Sequence, residues 1–451
     1  MKTKPALWAG LVLAAAALAA ALYLTRTTPD APAAQSGAVG SIGTDHYPHA
    51  TEPIGTVREI YDGALSPAKV VNSYRNIDRL LPTRTVAHAA TPMPLPPAAT
   101  PLEAVSFTDR GRRYTLEDYL ELNRVAGLLV LKDGRVALER YRFGNSDRTR
   151  WMSMSVAKSI TSTLVGAALK EGRIAALSDP VTKYVPSLAG SAYEGVSVRD
   201  VVTMSSGVRW HETQTDRASD RRRLLEAQIS QVPGSALAVM RTLRRDADPG
   251  TVWNYSTGET FVAAAVVRGA VGRPLATYLS ERIWSRFGME ADANWWLDSP
   301  DGLEMGGTGF SATLRDYGRF GLFVLDGGIA AGEAILPSGW MREATSPMLL
   351  RDGMRLPYGY LWWIGQTPAA ERDGAFAGIG LCGQFLYINP AARLVIVVWG
   401  AQPMRGSGPI IDDWAFFDAV GQALGQALLP IAEVVALGPD PDAVSEGRRV
   451  R

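Results

Sequence analysis

Sulfur and imidazole are scarce in this sequence, and their scarcity removes several chemistries at once. Cys382 is the one cysteine among 451 residues, so neither an intrachain disulfide nor a cysteine metal cluster can form. Of the four histidines, His46, His49 and His88 lie ahead of the main body and leave His211 alone within it. That distribution gives no metal-ligand spacing and no ready base for a Ser-His-Asp hydrolase, and no G-x-S-x-G turn occurs anywhere. Neither sign of charge prevails, with 46 Lys and Arg against 45 Asp and Glu. A chain without a basic surplus has nothing to hold nucleic acid with. Internal repeats are absent as well. The expectation is a globular body acting on a small or neutral molecule, without a metal or other cofactor, and no oligomeric state follows from the pattern.

One long hydrophobic run is present. Ala6 to Leu24 is 19 residues without a charge, preceded by Lys2 and Lys4 and followed by Arg26, which is close to the ~20 residues that span a bilayer. The expectation is that residues 1–26 form a transmembrane helix in the inner membrane, with the body exported to the periplasmic or extracellular side; the alternative is secretion after signal cleavage. Residues 27–53, rich in Ala, Pro, Gly, Ser and Thr, read as a flexible linker. Residues 54–101 combine an amphipathic piece with the proline-rich "ATPMPLPPAATPL" and read as an extension packed on the body. The body itself spans 102–430, and residues 431–451 read as a disordered tail.

Within the body, "GLLVLKDGRVALERY" predicts a β-hairpin turning at Asp133-Gly134. Near the other end "GQFLYINPAARLVIVVWG" predicts a second, and a helix over about 411–429 carries Trp414 and Phe417. Two hairpins bracketing a mostly helical middle predict an α+β fold of the sandwich type: one antiparallel sheet assembled from both ends of the domain, flanked by helices. The arginine-rich "DRASDRRRLLEAQ" reads as a solvated helix face.

In "WMSMSVAKSITSTLVGAALKEG" Ser155 and Lys158 stand three residues apart, on one face of a helix. The helix N-terminus favours negative charge at the serine oxygen, and a buried lysine loses its proton more easily. The serine would then have a base without histidine. The spacing alone is weak, because Ser66 and Lys69 share it and a serine at a helix start is often only a cap. Context separates the two pairs: Ile160, Leu164 and Ala168 follow Ser155 at four-residue spacing and Gly172 ends the run, as in a buried central helix.

With its flanks, "RWMSMSVAKSITSTLVG" resembles the S-x-x-K segment of serine hydrolases with the class C β-lactamase fold. That family includes penicillin-binding DD-peptidases, esterases and 6-aminohexanoate-dimer hydrolases. "PGTVWNYSTGET" resembles the segment bearing its general-base tyrosine, here Tyr255, and "GIGLCGQFLYINP" stands at the place of the K/H-T-G strand bordering the site. The likeness extends over about 54–428. It implies a β-lactamase/transpeptidase-like fold and a Ser155, Lys158 and Tyr255 acyl-enzyme mechanism. It also implies an oxyanion hole from the backbone N–H groups of Ser155 and Leu381, and a Tyr255 phenol made more acidic by Lys158.

Departures from the family pattern bear on the substrate. Tyr-x-Asn is replaced by Tyr255-Ser256-Thr257, and K/H-T-G by Gly378-Ile379-Gly380, which removes the cation that would pair with a β-lactam carboxylate. Gln214, in "WHETQTD", stands where nylon-oligomer hydrolases carry tyrosine. The substrate-binding candidates are therefore Gln214, Thr257, Gly378, Ile379 and Gly380. The expected activity is hydrolysis of small-molecule esters or amides, esterase-like in preference. An amidase of the 6-aminohexanoate type, a DD-peptidase and a non-catalytic binding protein are the alternatives. Cys382 reads as packing, His211 as a surface residue, and Glu259 as a group orienting the Tyr255 segment.

Overall fold

Strand and helix assignments below come from a computed structural model, which describes residues 47–404 and 410–426. In chain order the strands that position the site are β1 (Thr83–Val86), β2 (Val125–Lys132), β3 (Arg135–Tyr141), β4 (Arg150–Met152), β5 (Ala293–Trp296), β6 (Phe310–Thr313), β7 (Trp363–Ile364), β8 (Phe376–Gly380), β9 (Gln384–Asn389) and β10 (Leu394–Gly400). The helices are α1 (Val57–Asp62), α2 (Pro67–Tyr74), α3 (Leu116–Leu122), α4 (Val156–Lys170), α5 (Asp220–Ser230), α6 (Thr257–Val271), α7 (Leu314–Leu325) and α8 (Asp413–Gln426).

Both expected hairpins form, and they meet. The six-stranded sheet has the order β7-β8-β9-β10-β2-β3, with every pairing antiparallel, and the joint between the two ends of the body is β10 on β2. At the β2–β3 turn Asp133 and Gly134 both have positive φ, 52° and 75°, the geometry a two-residue hairpin needs. Side chains alternate across this sheet with period two. Leu129, Leu131, Val395, Val397 and Trp399 face the large core, while Leu128, Val130, Leu394, Ile396 and Val398 face a second core with Tyr119 of α3 and Phe416, Phe417 and Val420 of α8. Helices therefore cover both faces of the sheet. A smaller sheet, β1-β5-β6-β4, sits beside the helical region.

Helix α4 runs through the large core, with everything from Val156 to Ala168 buried, and it contacts both α6 and β8. Small residues on α4 allow this: a side chain at Gly166 would collide with the Trp340 ring. The segment ahead of the body is held tightly. Pro97 bridges Val136, and Ala98 N–H and Leu102 N–H donate to Val136 and Ala137, so the proline-rich stretch covers the free edge of β3. At the end of the predicted linker His49 is buried against Thr149, and Glu52 pairs with Arg75.

Two expectations are corrected. No helix among the described residues is long and apolar enough to cross a membrane; residues 6–24 lie outside the described residues, as does the tail 431–451, and the membrane assignment is withdrawn. The arginine-rich segment is also only in part a solvated face: Arg217 and Arg223 are exposed, and Arg221 and Arg222 are not. Arg221 and Arg222 of α5 are 1% and 3% exposed. The Arg221 guanidinium lies over the Tyr61 ring at 4.5 Å, and Arg222 donates to Asp62 Oδ1 at 2.7 Å and to the Gln214 carbonyl at 3.3 Å. Helix α1 thus supplies the aromatic face and the carboxylate that allow two arginines to be buried.

Arg217 and Arg222 hold the Asp62 carboxyl down at about 2. Its stabilisation is present above the ordinary carboxylate range and is lost as pH falls toward 2. Asp62→Ala is expected to lower the unfolding free energy by about 3 kcal/mol at neutral pH, because it strands buried Arg222. Urea denaturation checks this, and the difference between the two proteins should shrink in acid.

Candidate active site

Strand β4 delivers the chain to the start of α4. Trp151 of β4 stacks on Trp399 of β10 with ring centroids 5.7 Å apart, and its Nε1 donates to Gln384 Oε1 at 3.0 Å. Met154 then adopts a left-handed φ of 49° although it is buried and not glycine, a strained conformation of the kind concentrated at functional sites. Ser155 follows at the N-cap position. Its side chain makes no capping hydrogen bond, so the bland reading of this serine as a cap fails and its Oγ is turned toward Lys158 instead.

Lys158 is 1% exposed. Its Nζ lies 2.8 Å from Ser155 Oγ, 3.0 Å from Thr257 Oγ1 and 3.0 Å from the Gly307 carbonyl. Burial drives the amine pKa down to about 7; Glu212 pulls upward and Arg221 pushes downward. Gly307 packs closely here: a Cβ there would sit 3.2 Å from Thr257 Cγ2 and in ordinary contact with Nζ at 3.4 Å.

Tyr255, just ahead of α6, places its ring face 5.0 Å from Lys158 Nζ. The direction of its pKa is opposite to the one expected. Burial and the Glu212 charge raise the phenol well above its ordinary value, and contact with the Ser155 hydroxyl offsets only part of that. Tyr255, Trp253, Tyr358 and Trp363 form one aromatic wall, with ring centroids 4.9–6.3 Å apart.

Strand β8 closes the other side. A Cβ on Gly378 would lie 3.0 Å from Ser159 Oγ, and one on Gly380 would lie 2.4 Å from the Ser153 carbonyl oxygen. Gly378, which replaces the K/H of the motif, and Gly380, which keeps its glycine, let β8 lie directly on the start of α4. Ile379 between them is half-buried. Leu381 continues from Gly380 at the mouth of the site, partly exposed, and Cys382 after it is again left-handed, with φ of 64°. Burial raises the Cys382 thiol to about 11, so it is no thiolate nucleophile at neutral pH.

Sequence reasoning overlooked Glu212. Its carboxylate accepts from Thr257 Oγ1 at 2.6 Å, Thr257 N–H at 2.8 Å, Trp210 Nε1 at 2.5 Å and Gln214 Nε2 at 3.2 Å. Thr257 and Gln214 are therefore tied to Glu212. Thr257 lies next to Ser155 and Lys158 through its bond to the lysine, and Gln214 is two hydrogen bonds further out, through Glu212. The other residues fall as read: His211 is exposed beside Thr213 and Asp216, and Ser66 and Lys69 are exposed at the start of α2. Buried Glu259 bonds Ser206 and so ties α6 to the segment leading to Trp210; burial raises its carboxyl to about 8.

A serine within one helical turn of a buried lysine, with a glycine-edged strand across from it, fits the family that the sequence resembles. The chain belongs to that family, the Beta-lactamase family, which matches residues 115–412. Across 345 residues it is 31% identical to the 6-aminohexanoate-dimer hydrolase of Paenarthrobacter ureafaciens, covering 73% of this chain and 85% of that protein. A solved structure from Bacillus anthracis, named as a candidate 6-aminohexanoate-dimer hydrolase, shares the fold with a TM-score of 0.71 at 24% identity over 80% of this chain and 95% of its own. A family VIII carboxylesterase shares the fold with a TM-score of 0.52 at 18% identity over 67% and 92%. The protein is accordingly an enzyme, a serine hydrolase with the β-lactamase/transpeptidase-like fold.

Gly380→Ala is expected to push β8 away from α4 and lower turnover by about tenfold or more, as a displacement of about 1 Å does at a preorganised site. Steady-state kinetics beside a thermal melt separates this from unfolding.

Proposed function

We propose that the protein hydrolyses esters, and more slowly amides, of small carboxylic acids through an acyl-enzyme on Ser155. The observation that carries this reading is the buried Lys158 amine, 2.8 Å from Ser155 Oγ with a pKa of about 7. A substantial fraction of such a lysine is neutral at physiological pH, so its lone pair takes the Ser155 proton as Oγ attacks the substrate carbonyl. The resulting oxyanion is received by the backbone N–H groups of Ser155 and Leu381. Tyr255, a phenol that keeps its proton at neutral pH, fits the role of donor to the leaving oxygen or nitrogen. The proton on Lys158 then returns to the Tyr255 phenolate and restores both groups; water attacks the acyl carbonyl as its proton passes to the neutral Lys158, and that proton moves on to Ser155 Oγ as the acyl C–O bond breaks and the carboxylic acid departs.

Ester preference rests on what the site does not hold free. Amide cleavage needs a proton delivered to nitrogen and a substrate held for that delivery. The Gln214 amide and the Thr257 hydroxyl are both engaged by Glu212. The aromatic wall around Trp253 and Trp363 suits an apolar acyl or leaving group. Gly378 supplies no cation for a β-lactam carboxylate. A second reading, hydrolysis of short linear amides, is favoured by the 31% identity to the Paenarthrobacter ureafaciens hydrolase. The DD-peptidase and non-catalytic readings have no observation of their own behind them.

Lys158→Ala and Tyr255→Phe are each expected to lower kcat/KM by about a hundredfold or more, and Ser66→Ala to leave it unchanged. Mass spectrometry of a fluorophosphonate adduct should find the label on Ser155; label on Cys382 would overturn the assignment. Activity should rise with pH through about 7 as Lys158 loses its proton. For matched ester and amide substrates, kcat/KM should favour the ester, and Gln214→Tyr should shift the ratio toward the amide by about tenfold or less, the worth of one hydrogen bond.

A further inference from the structure

The proton of one hydroxyl decides whether Lys158 can act as a base at all. Thr257 Oγ1 lies 3.0 Å from Lys158 Nζ and 2.6 Å from Glu212 Oε1. A threonine hydroxyl has one proton to give. Given to a neutral lysine, it would occupy the amine lone pair and leave Ser155 without an acceptor. The Glu212 carboxylate is the stronger acceptor, and it is held in place by three further donors, from Trp210, Gln214 and the Thr257 backbone. With the hydroxyl proton drawn to Glu212, Thr257 Oγ1 presents a lone pair to Lys158. The Gly307 carbonyl presents another. Both N–H bonds of a neutral lysine are then used, and the one direction left, toward Ser155 Oγ, carries the nitrogen lone pair.

We infer that Glu212 is the positioning residue of this site: by fixing the Thr257 proton away from Lys158 it aims the lysine lone pair at Ser155. The inference rests on the proposed nucleophile and base. Its four hydrogen bonds leave Glu212 saturated, so it acts through Thr257 and does not touch substrate. The charged and titratable groups facing the Lys158 amine are Glu212 ahead of α5, Arg221 on α5 and Tyr255 ahead of α6, with Tyr358 behind Tyr255. Strand β8 contributes Gly378 and Ile379, and the turn at Gly307 a carbonyl. Glu212 favours the ammonium and Arg221 opposes it, so removing the Glu212 charge moves the acid limb to lower pH, while loss of the aimed lone pair lowers the plateau.

The test is the second-order rate of fluorophosphonate labelling of Ser155 from about pH 5 to about pH 9 in the wild type, Glu212→Gln, Thr257→Val and Thr257→Ser. In Glu212→Gln the limb should shift down by about one pH unit or more and the plateau should drop about tenfold or more. Thr257→Val should lose a comparable factor in the plateau with the limb close to wild type, and Thr257→Ser should restore it. A Glu212→Gln protein with an unmoved limb overturns the inference, as does a Thr257→Val protein that labels at the wild-type rate; the second holds even if Glu212→Gln fails to fold. Labelling that survives Ser155→Ala overturns instead the reading of the site on which the inference rests.

Discussion

Burial of a single amine organises this site. An ammonium withdrawn from water is costly unless its hydrogen bonds are met, and the alternative is to give up the proton. Lys158 is placed between these outcomes. Three oxygens, from Ser155, Thr257 and Gly307, meet its bonding capacity, while one anion and one buried cation act on it in opposite directions. The amine is thereby poised near neutrality. That is the property a histidine would otherwise supply, and the body has only an exposed one.

The rest of the fold reads as what is required to keep that amine dry and aimed. Helix α4 has no solvent face near Lys158 because it is enclosed by α6 on one side and the glycine edge of β8 on the other. Gly378 and Gly380 are small where a side chain would press on Ser159 and on the Ser153 carbonyl and push the strand away. Two of the twelve non-glycine left-handed residues among the described residues flank the site, Met154 before the serine and Cys382 after Leu381. Further out, α1 holds Arg221 and Arg222 through Tyr61 and Asp62, and Arg222 in turn holds the Gln214 carbonyl. The segment ahead of the body therefore braces the loop that carries Glu212.

Much of this was legible in the sequence because it is local. The Ser155–Lys158 spacing, the buried period of α4, the Asp133-Gly134 turn and the nearly unbroken apolar run of β10 each announce themselves within a few residues. The pairing of the two hairpins followed from their positions at either end of the body. What was not legible depends on contacts between distant segments. Arg221 and Arg222 look like a solvated face until Tyr61 and Asp62, some 160 residues earlier, are brought against them. Glu212 stood in a quoted motif but drew no notice, since its partner Thr257 is 45 residues away; a carboxylate between Trp210 and Gln214 was the available signal. The rise in the Tyr255 pKa was misjudged because adjacency to a lysine was counted and burial was not.

The central claim is that Lys158 reaches neutrality near physiological pH while still folded around Ser155. Selective isotope labelling of the lysine side chains, followed by NMR titration with Lys158→Ala to assign the resonance, measures this directly. The account predicts a Lys158 midpoint of about 7, with the remaining lysines titrating near about 10. A Lys158 that keeps its proton to about pH 10 would contradict it, and the base would have to be sought elsewhere in the site.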